Sequence, residues 1–414
     1  MKQFNINIAI CFFAALFGFN SWCATYYVSP TGNDSSSGSS TAPWKTPYKA
    51  FRATLKPGDI VYFRSGNYTM TGDGISVRSS GTSSAPITFA SQPGHTAVIV
   101  YDRRKKLVEP TLEPIIYIGS SNIIMDRLSI RQVETSRAYA ISVGETSDGF
   151  SVFGTNVKIK NCSIDNVAGL GVYVKGSNVL VENCRISNHG SHSFYIAGAN
   201  GIYRNNTLNC SRGGWNSRCI QIQYVSSTGN KIYGNLVMNG QSGGVVFSGP
   251  VTNNLVYNNI FISNGTKLDT GHGLYGVVLD FWHETGKIPG LGNKFYNNTI
   301  MGKKPNTSLI NRSSDGANVV VTNNIFRTTM PAPIGGIASK IKNNVFFNTV
   351  GSVPSGNITK DPKLVNPAGT TAASAKFLSG SSAYNTGIDT GLRVDYFNTA
   401  RPRGGRLDIG AYEY

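Results

Sequence analysis

The chain has 414 residues, of which 14% are charged, and its 38 Lys and Arg against 21 Asp and Glu leave a formal net charge of +17. That sign favours polyanionic partners (nucleic acid, anionic lipid or acidic glycan) and disfavours cationic ones. Gly is abundant at 47 residues, while Leu, Ala and Glu are sparse, a composition suited to short strands joined by turns.

At the start, Lys2 precedes the mainly apolar run Ile8–Phe19 and the small or polar residues Asn20–Ala24. The pattern predicts a secretory signal peptide over residues 1–24, too short to span a bilayer. A lipid anchor on Cys23 is the second reading. No later stretch is long and apolar enough for a membrane span. Export makes the protein secreted or periplasmic, so nucleic acid drops out as a partner and an acidic polysaccharide remains. A Ser/Gly loop at Asp34–Ser40 leads to a short helix at Pro47–Thr54, a turn at Lys56–Asp59 and a strand at Ile60–Phe63.

From Asn156 onward a phrase of the form N-x-Φ-x-x-N-x-Φ recurs, Φ being apolar. It starts at Asn156, Asn178, Asn200, Asn230, Asn253, Asn293 and Asn318, with spacings of 22, 22, 30, 23, 40 and 25 residues. Degenerate copies lie at Asn122 and around Asn343. A floor near 22 with occasional surplus means a fixed coil plus loops of varying size. Alternating apolar and polar residues give each phrase one buried strand face, and so short a unit buries it only by stacking on its neighbours. The fold read from this is all-β, a single-stranded right-handed parallel β-helix. The second Asn of each phrase (Asn161, Asn183, Asn205, Asn235, Asn258, Asn298, Asn323) is expected to form a ladder at an inner corner. After residues 1–24, one domain spans 25–414, with an N-terminal cap at about 25–75 containing the short helix, coils at about 76–360 and a C-terminal cap at about 361–414.

The opening TYYVSPTGND…PWKTPYKAF…LKPGDIVYFRSGNYT and the closing DPKLVNPAGTT…GSSAYNTGIDTG…RPRGGRLDIGAYEY resemble the ends of secreted bacterial β-helix polysaccharide lyases of the pectate, alginate and chondroitin types. This resemblance implies the same architecture along the mature chain. It does not fix a substrate, since epimerases, hydrolases and proteins without activity share the fold.

Ahead of successive phrases lie further short strands at 171–176, 193–198, 219–224 and 244–249. Alternation places Tyr173, Tyr195, Gln221 and Val246 in an outward column, with Lys175, Ala197, Gln223 and Ser248 beside it. The same coils carry His189 and His192, then Arg212, Trp215 and Arg218 in a segment bracketed by Cys210 and Cys219, which are placed to form a disulfide. Cys162 and Cys184 occupy one repeat position and are expected to be free buried thiols. The set suits β-elimination on a uronate, which needs a base for the C5 proton, an acid for the departing C4 oxygen and donors for the carboxylate. Tyr195 is the expected acid and Lys175 or His192 the base. Arg212, Arg218, Gln221 and Gln223 would neutralise the carboxylate, with Tyr173 lining the site and Trp215 stacking on a sugar ring.

The function expected is thus a monomeric polysaccharide lyase, with alginate ranked ahead of pectate or a glycosaminoglycan. Calcium-dependent pectate lyases of this fold cluster Asp and Glu on adjacent coils, whereas Glu182 is the one acid between Asp165 and Asp269. No cofactor is therefore expected, although calcium at Asp269, Asp280 and Glu284 stays open. The alternatives are a glycoside hydrolase using those carboxylates with His272 and His283, a uronate C5-epimerase, or a carbohydrate-binding surface protein without turnover.

Overall fold

The computed structural model describes residues 23–71, 73–102, 114–133, 147–210, 218–266, 277–282, 287–310, 318–335 and 340–414. The expected signal segment up to residue 22 lies outside them.

Each Asn phrase folds into two short strands because the chain turns in its middle. The turning residue adopts a left-handed φ near 49–57° at Asn161, Asn183, Asn205, Asn258, Asn297 and Asn323, and 65° at Gly234 in the coil where Asn is replaced. Asn tolerates this region because its short amide bonds locally. The first halves of the phrases build a 12-stranded sheet and the second halves an 11-stranded sheet, while the strands ahead of the phrases form a nine-stranded sheet. All three are parallel and in register, coil on coil: Ile159 sits beside Val181, and Val181 beside Tyr203. The inward residues Ile159, Val181, Ile186, Phe194 and Ile220 have no exposure and join one core running along the helix.

The Asn ladder is real, but its register differs from the expected one in five of the seven coils. The stacked amides belong to the buried Asn206, Asn235, Asn259, Asn298, Asn324 and Asn344 and to half-buried Asn357. Each Nδ2 donates to the next Oδ1 at 2.9–3.0 Å. Of the residues expected there, only Asn235 and Asn298 belong to it. Asn161, Asn183, Asn205, Asn258 and Asn323 are the left-handed turn residues one position earlier. The physical reason is a division of labour: the turn demands φ > 0, and the next side chain then points inward to satisfy backbone groups. Cys162 and Cys184 fill that inward position in the early coils and are free and buried. A second buried ladder, Asn230–Asn254–Asn293, marks the other corner of the same sheet.

The ends are closed. Helix Pro47–Arg52, two residues shorter than expected, is capped by Thr46, whose Oγ1 accepts from Lys49 N at 3.2 Å. It buries Phe51 against Phe63 and Phe89, covering the first coils. At the other end the tail folds back along the outside of the 11-stranded sheet. Leu364, Phe377, Ala383 and Ile409 pack on Ile260, Ile262, Met301 and Ile325. Turn residues Asn258, Asn297 and Asn323 donate to tail carbonyls of Val394, Asp408 and Ile388. Among the described residues no helix is long and apolar enough to cross a membrane.

Candidate active site

The nine-stranded sheet changes character along its length. Its early strands, Phe150–Val152, Val172–Val174 and Phe194–Ile196, are three residues long. The next two, Arg218–Gln223 and Gly243–Ser248, have six residues each and are buried on both faces. Register aligns Ser151, Tyr173, Tyr195, Gln221, Val246 and Asp280 in one outward column. Tyr173 and Tyr195 are half-buried, whereas Gln221, Val246 and Asp280 are at most 2% exposed. The column is therefore a half-open face that runs into a covered end.

At the junction the side chains are bonded to one another. Tyr195 packs edge-on against Tyr173 with ring centroids 5.2 Å apart. The Tyr195 hydroxyl donates to Gln223 Oε1 at 2.7 Å and contacts the Tyr224 hydroxyl at 3.1 Å. Gln221 Nε2 also donates to Gln223 Oε1. That leaves Gln223 Nε2 without a protein acceptor among the described residues. Gln221 Oε1 is buried and unpartnered. Tyr224 is the residue that sequence reasoning missed. Alternation ends the strand there, but its φ of 74° swings the ring toward Tyr195, and a single left-handed aromatic leaves no periodic trace.

Beneath this face the expected base is deeply placed. His192 is 3% exposed, with its ring 5.8 Å from that of Tyr195. Burial holds its pKa down to about 3, so the ring is neutral at neutral pH. A neutral ring donates from Nδ1 to the Arg218 carbonyl at 2.9 Å and keeps a lone pair on Nε2. His189 is likewise buried and held near 4, bonded to Ser191 O and Ser193 Oγ. Asp148 lies in register with His192 two coils earlier. Burial raises its carboxyl to about 6 despite bonds from Leu170 N and Ser151 Oγ.

Arg218 corrects another expectation. Its guanidinium is not in the open groove but 1% exposed, paired with Asp280 at 3.0 Å. The side chain reaches Asp280 by passing over Gly243 in the coil between. A Cβ at Gly243 would sit 2.8 Å from Val277 O and 3.4 Å from Arg218 Cγ, so glycine keeps the passage open. Gln221 and Gln223 are also buried rather than solvent-facing, and so are Val246, Ala197 and Ser248. Alternation assigned the side of the sheet correctly, but not the cover above it.

Lys175 is exposed and leans away from Gln223, its ammonium 5.4 Å from the Phe153 ring centre. Cys210 and Cys219 form a disulfide with Cα atoms 5.9 Å apart. Arg212 and Trp215 lie outside the described residues, as do Asp269, His272, His283 and Glu284. Among the described residues no three His, Cys, Asp or Glu side chains converge, and Asp280 faces a guanidinium. Calcium wants several oxygen ligands, and of the three residues expected to supply them only Asp280 is described.

Comparison with known proteins places this geometry in a family. The model of the Pel9A-like right-handed β-helix region matches residues 26–271. Among solved structures, pectate lyase Pel9A superposes with a TM-score of 0.58 at 17% identity, covering 94% of this chain and 96% of that one. XylC in complex with xylose gives 0.54 at 12% identity over 94% and 98%. The lacto-N-biosidase of Eubacterium ramulus gives 0.52 at 13% identity over 81% and 68%. At these identities they share the fold. No curated protein matches the chain in sequence.

Proposed function

Because the chain belongs to the Pel9A-like right-handed β-helix family, we propose that it is a secreted, monomeric polysaccharide lyase that cleaves a uronate-containing glycan by β-elimination. The observation that carries this reading is the Tyr195 phenol, held between Gln223 and Tyr224 on a half-open sheet face. Elimination needs one proton acceptor, one proton donor and neutral or positive donors for the carboxylate, and these are the groups present. A hydrolase needs two available carboxyl groups. The described carboxylates nearest the site are committed elsewhere, Asp280 to Arg218 and Asp148 to Leu170 N and Ser151 Oγ.

In this reading a uronate lies along the column over Tyr173 and Tyr195, its carboxylate against Gln223 Nε2. Lys175, exposed one coil away and diagonal to Tyr195, swings from its place over the Phe153 ring and takes the C5 proton. The electron pair forms the C4–C5 double bond as the C4–O bond breaks, and Tyr195 gives its proton to the departing oxygen. His192 is a positioning residue: neutral and buried, it supports the Tyr195 ring without adding charge. Arg218 acts at one remove, fixing the covered end through Asp280. Amide and phenol donors in place of a carboxylate cluster rank alginate first. The fold shared with a pectate lyase makes pectate the second substrate to test.

The test is ultraviolet absorbance of the unsaturated uronate, followed on alginate, pectate and chondroitin with and without chelator. A rise on one polymer that survives chelation is expected. Reducing ends rising without that absorbance would mean hydrolysis instead. Neither signal, with binding retained, would leave a carbohydrate-binding protein.

A further inference from the structure

The net charge of +17 has to lie somewhere, and the described cations are not gathered around Tyr195. From Phe150 to Ser248 the strands of the nine-stranded sheet carry one cation, the buried Arg218, and exposed Lys175 directly follows one of them. The outer face of the 12-stranded sheet differs. Between Ile123 and Lys342 its strands carry Lys158, Lys160, Arg204, Lys231, Lys294 and Lys342 against two acids, Asp126 and Glu182. Both acids are already paired, with Arg127 at 2.7 Å and Arg204 at 2.6 Å.

We infer that this face is a second, non-catalytic binding surface for the uronate polymer, separate from the Tyr195 site. Register sets the geometry. Lys158, Leu180, Ile202, Lys231, Leu255, Lys294 and Val320 form one outward column along the helix axis. With coils about 4.8 Å apart, Lys231 and Lys294 are separated by roughly 10 Å and Lys158 and Lys231 by roughly 14 Å. All three lysines are exposed, and the apolar residues between them are half-exposed. No acidic residue among the described ones pairs with them. The neighbouring column holds the stacked rings of Tyr233, Tyr257 and Tyr296, with centroids 4.8 and 5.2 Å apart. Arg204 extends this row, donating to the Tyr233 hydroxyl at 3.2 Å.

A row of spaced ammonium groups with apolar steps between them matches a chain carrying carboxylates at intervals and C–H faces between. An uncharged glycan would not use the charges, and a small anion would not use the length. Bound here, one part of a long polymer raises the local concentration of another part at the Tyr195 face, without any new contact at that site. The identity of the polymer rests on the lyase reading; the charge asymmetry between the two sheets does not.

The test compares full-length protein with its Lys158→Gln, Lys231→Gln, Lys294→Gln triple variant. Binding is measured in a Tyr195→Phe background on long alginate and polygalacturonate and on their tetrasaccharides. Three exposed charge contacts together should weaken polymer binding about tenfold, and less so at high salt, with tetrasaccharide binding unchanged. The triple change in the otherwise wild-type enzyme should leave tetrasaccharide turnover intact. Unchanged polymer affinity, or no polymer binding by the parent, overturns the proposal. The lyase reading fails separately, if the lysine-intact enzyme yields no unsaturated product while polymer binding still depends on the three lysines.

Discussion

The 12-stranded and nine-stranded sheets wind through the same coils and obey the same alternation, yet they solve opposite problems. The first is repetitive: one turn residue, one ladder amide and one core residue recur coil after coil, and its outer face stays open. The second breaks its own pattern at Arg218, lengthening its strands, covering both faces and burying an ion pair at its covered end. Repetition gives stability that any single coil shares with its neighbours. Deviation from the repeat concentrates unpaired and titratable groups in one place, and that place is the candidate site.

The contrast breaks most sharply at the buried pair. Asp280→Ala takes a carboxylate from the buried Arg218 guanidinium and should lower stability by about 3–5 kcal/mol, whereas Arg218→Met with Asp280→Leu should recover most of it. Denaturant melts of the two variants check this. In the repetitive wall, Asn259→Ala removes an acceptor for Asn235 and a donor to Ile232 O and Asn298. A loss of about 1–3 kcal/mol is expected by the same melts, from the bonds left unmade in the interior. Gly243→Ala should cost a similar amount through its contact with Val277 O, and it should also lower activity by displacing Arg218.

The titrating groups sharpen the comparison, since they sit in the nine-stranded wall. Burial depresses His189 to about 4 and His192 to about 3. Below the ordinary histidine range the unfolded chain therefore takes protons that the folded one refuses. Stability should fall as pH drops from about 6.5 toward 3. Asp148, raised to about 6, acts the other way: the folded chain holds its proton longer, so stability from this group declines between about 4 and 6 and stays lower above. Two histidines against one carboxyl make acid the destabilising direction. His192→Gln should flatten the melting-temperature profile in that window, and Asp148→Asn should raise the melting temperature by a few degrees at pH 8 and not at pH 4.

The fold was legible because the Asn phrase reports a coil length directly, and because strand Ile60–Phe63 and the helix at Pro47 carry local signals of their own. The ladder register was misassigned by one residue in most coils: in three of them two adjacent Asn look alike in sequence and differ in backbone φ, and at Asn161 and Asn183 the inward neighbour is a Cys. The site was half legible. Alternation put Tyr173, Tyr195, Gln221 and Gln223 on one side of one sheet, but it is silent about what lies over that side. The burial of Gln221, His192 and Arg218 was therefore hidden. Tyr224 was hidden for a different reason, since its place depends on one left-handed residue. The pairing of Arg218 with Asp280 spans 62 residues, and no periodicity connects them.

If Tyr195 gives the proton in an elimination, its removal should stop the chemistry and leave binding. The rate of unsaturated-product formation by Tyr195→Phe should be measured beside wild type on the same uronate polymer, with binding measured in parallel. A loss of about 10²–10⁴ in rate with affinity nearly unchanged is expected, as removal of a general acid requires. A rate within a few-fold of wild type would show that the chemistry lies elsewhere on the helix.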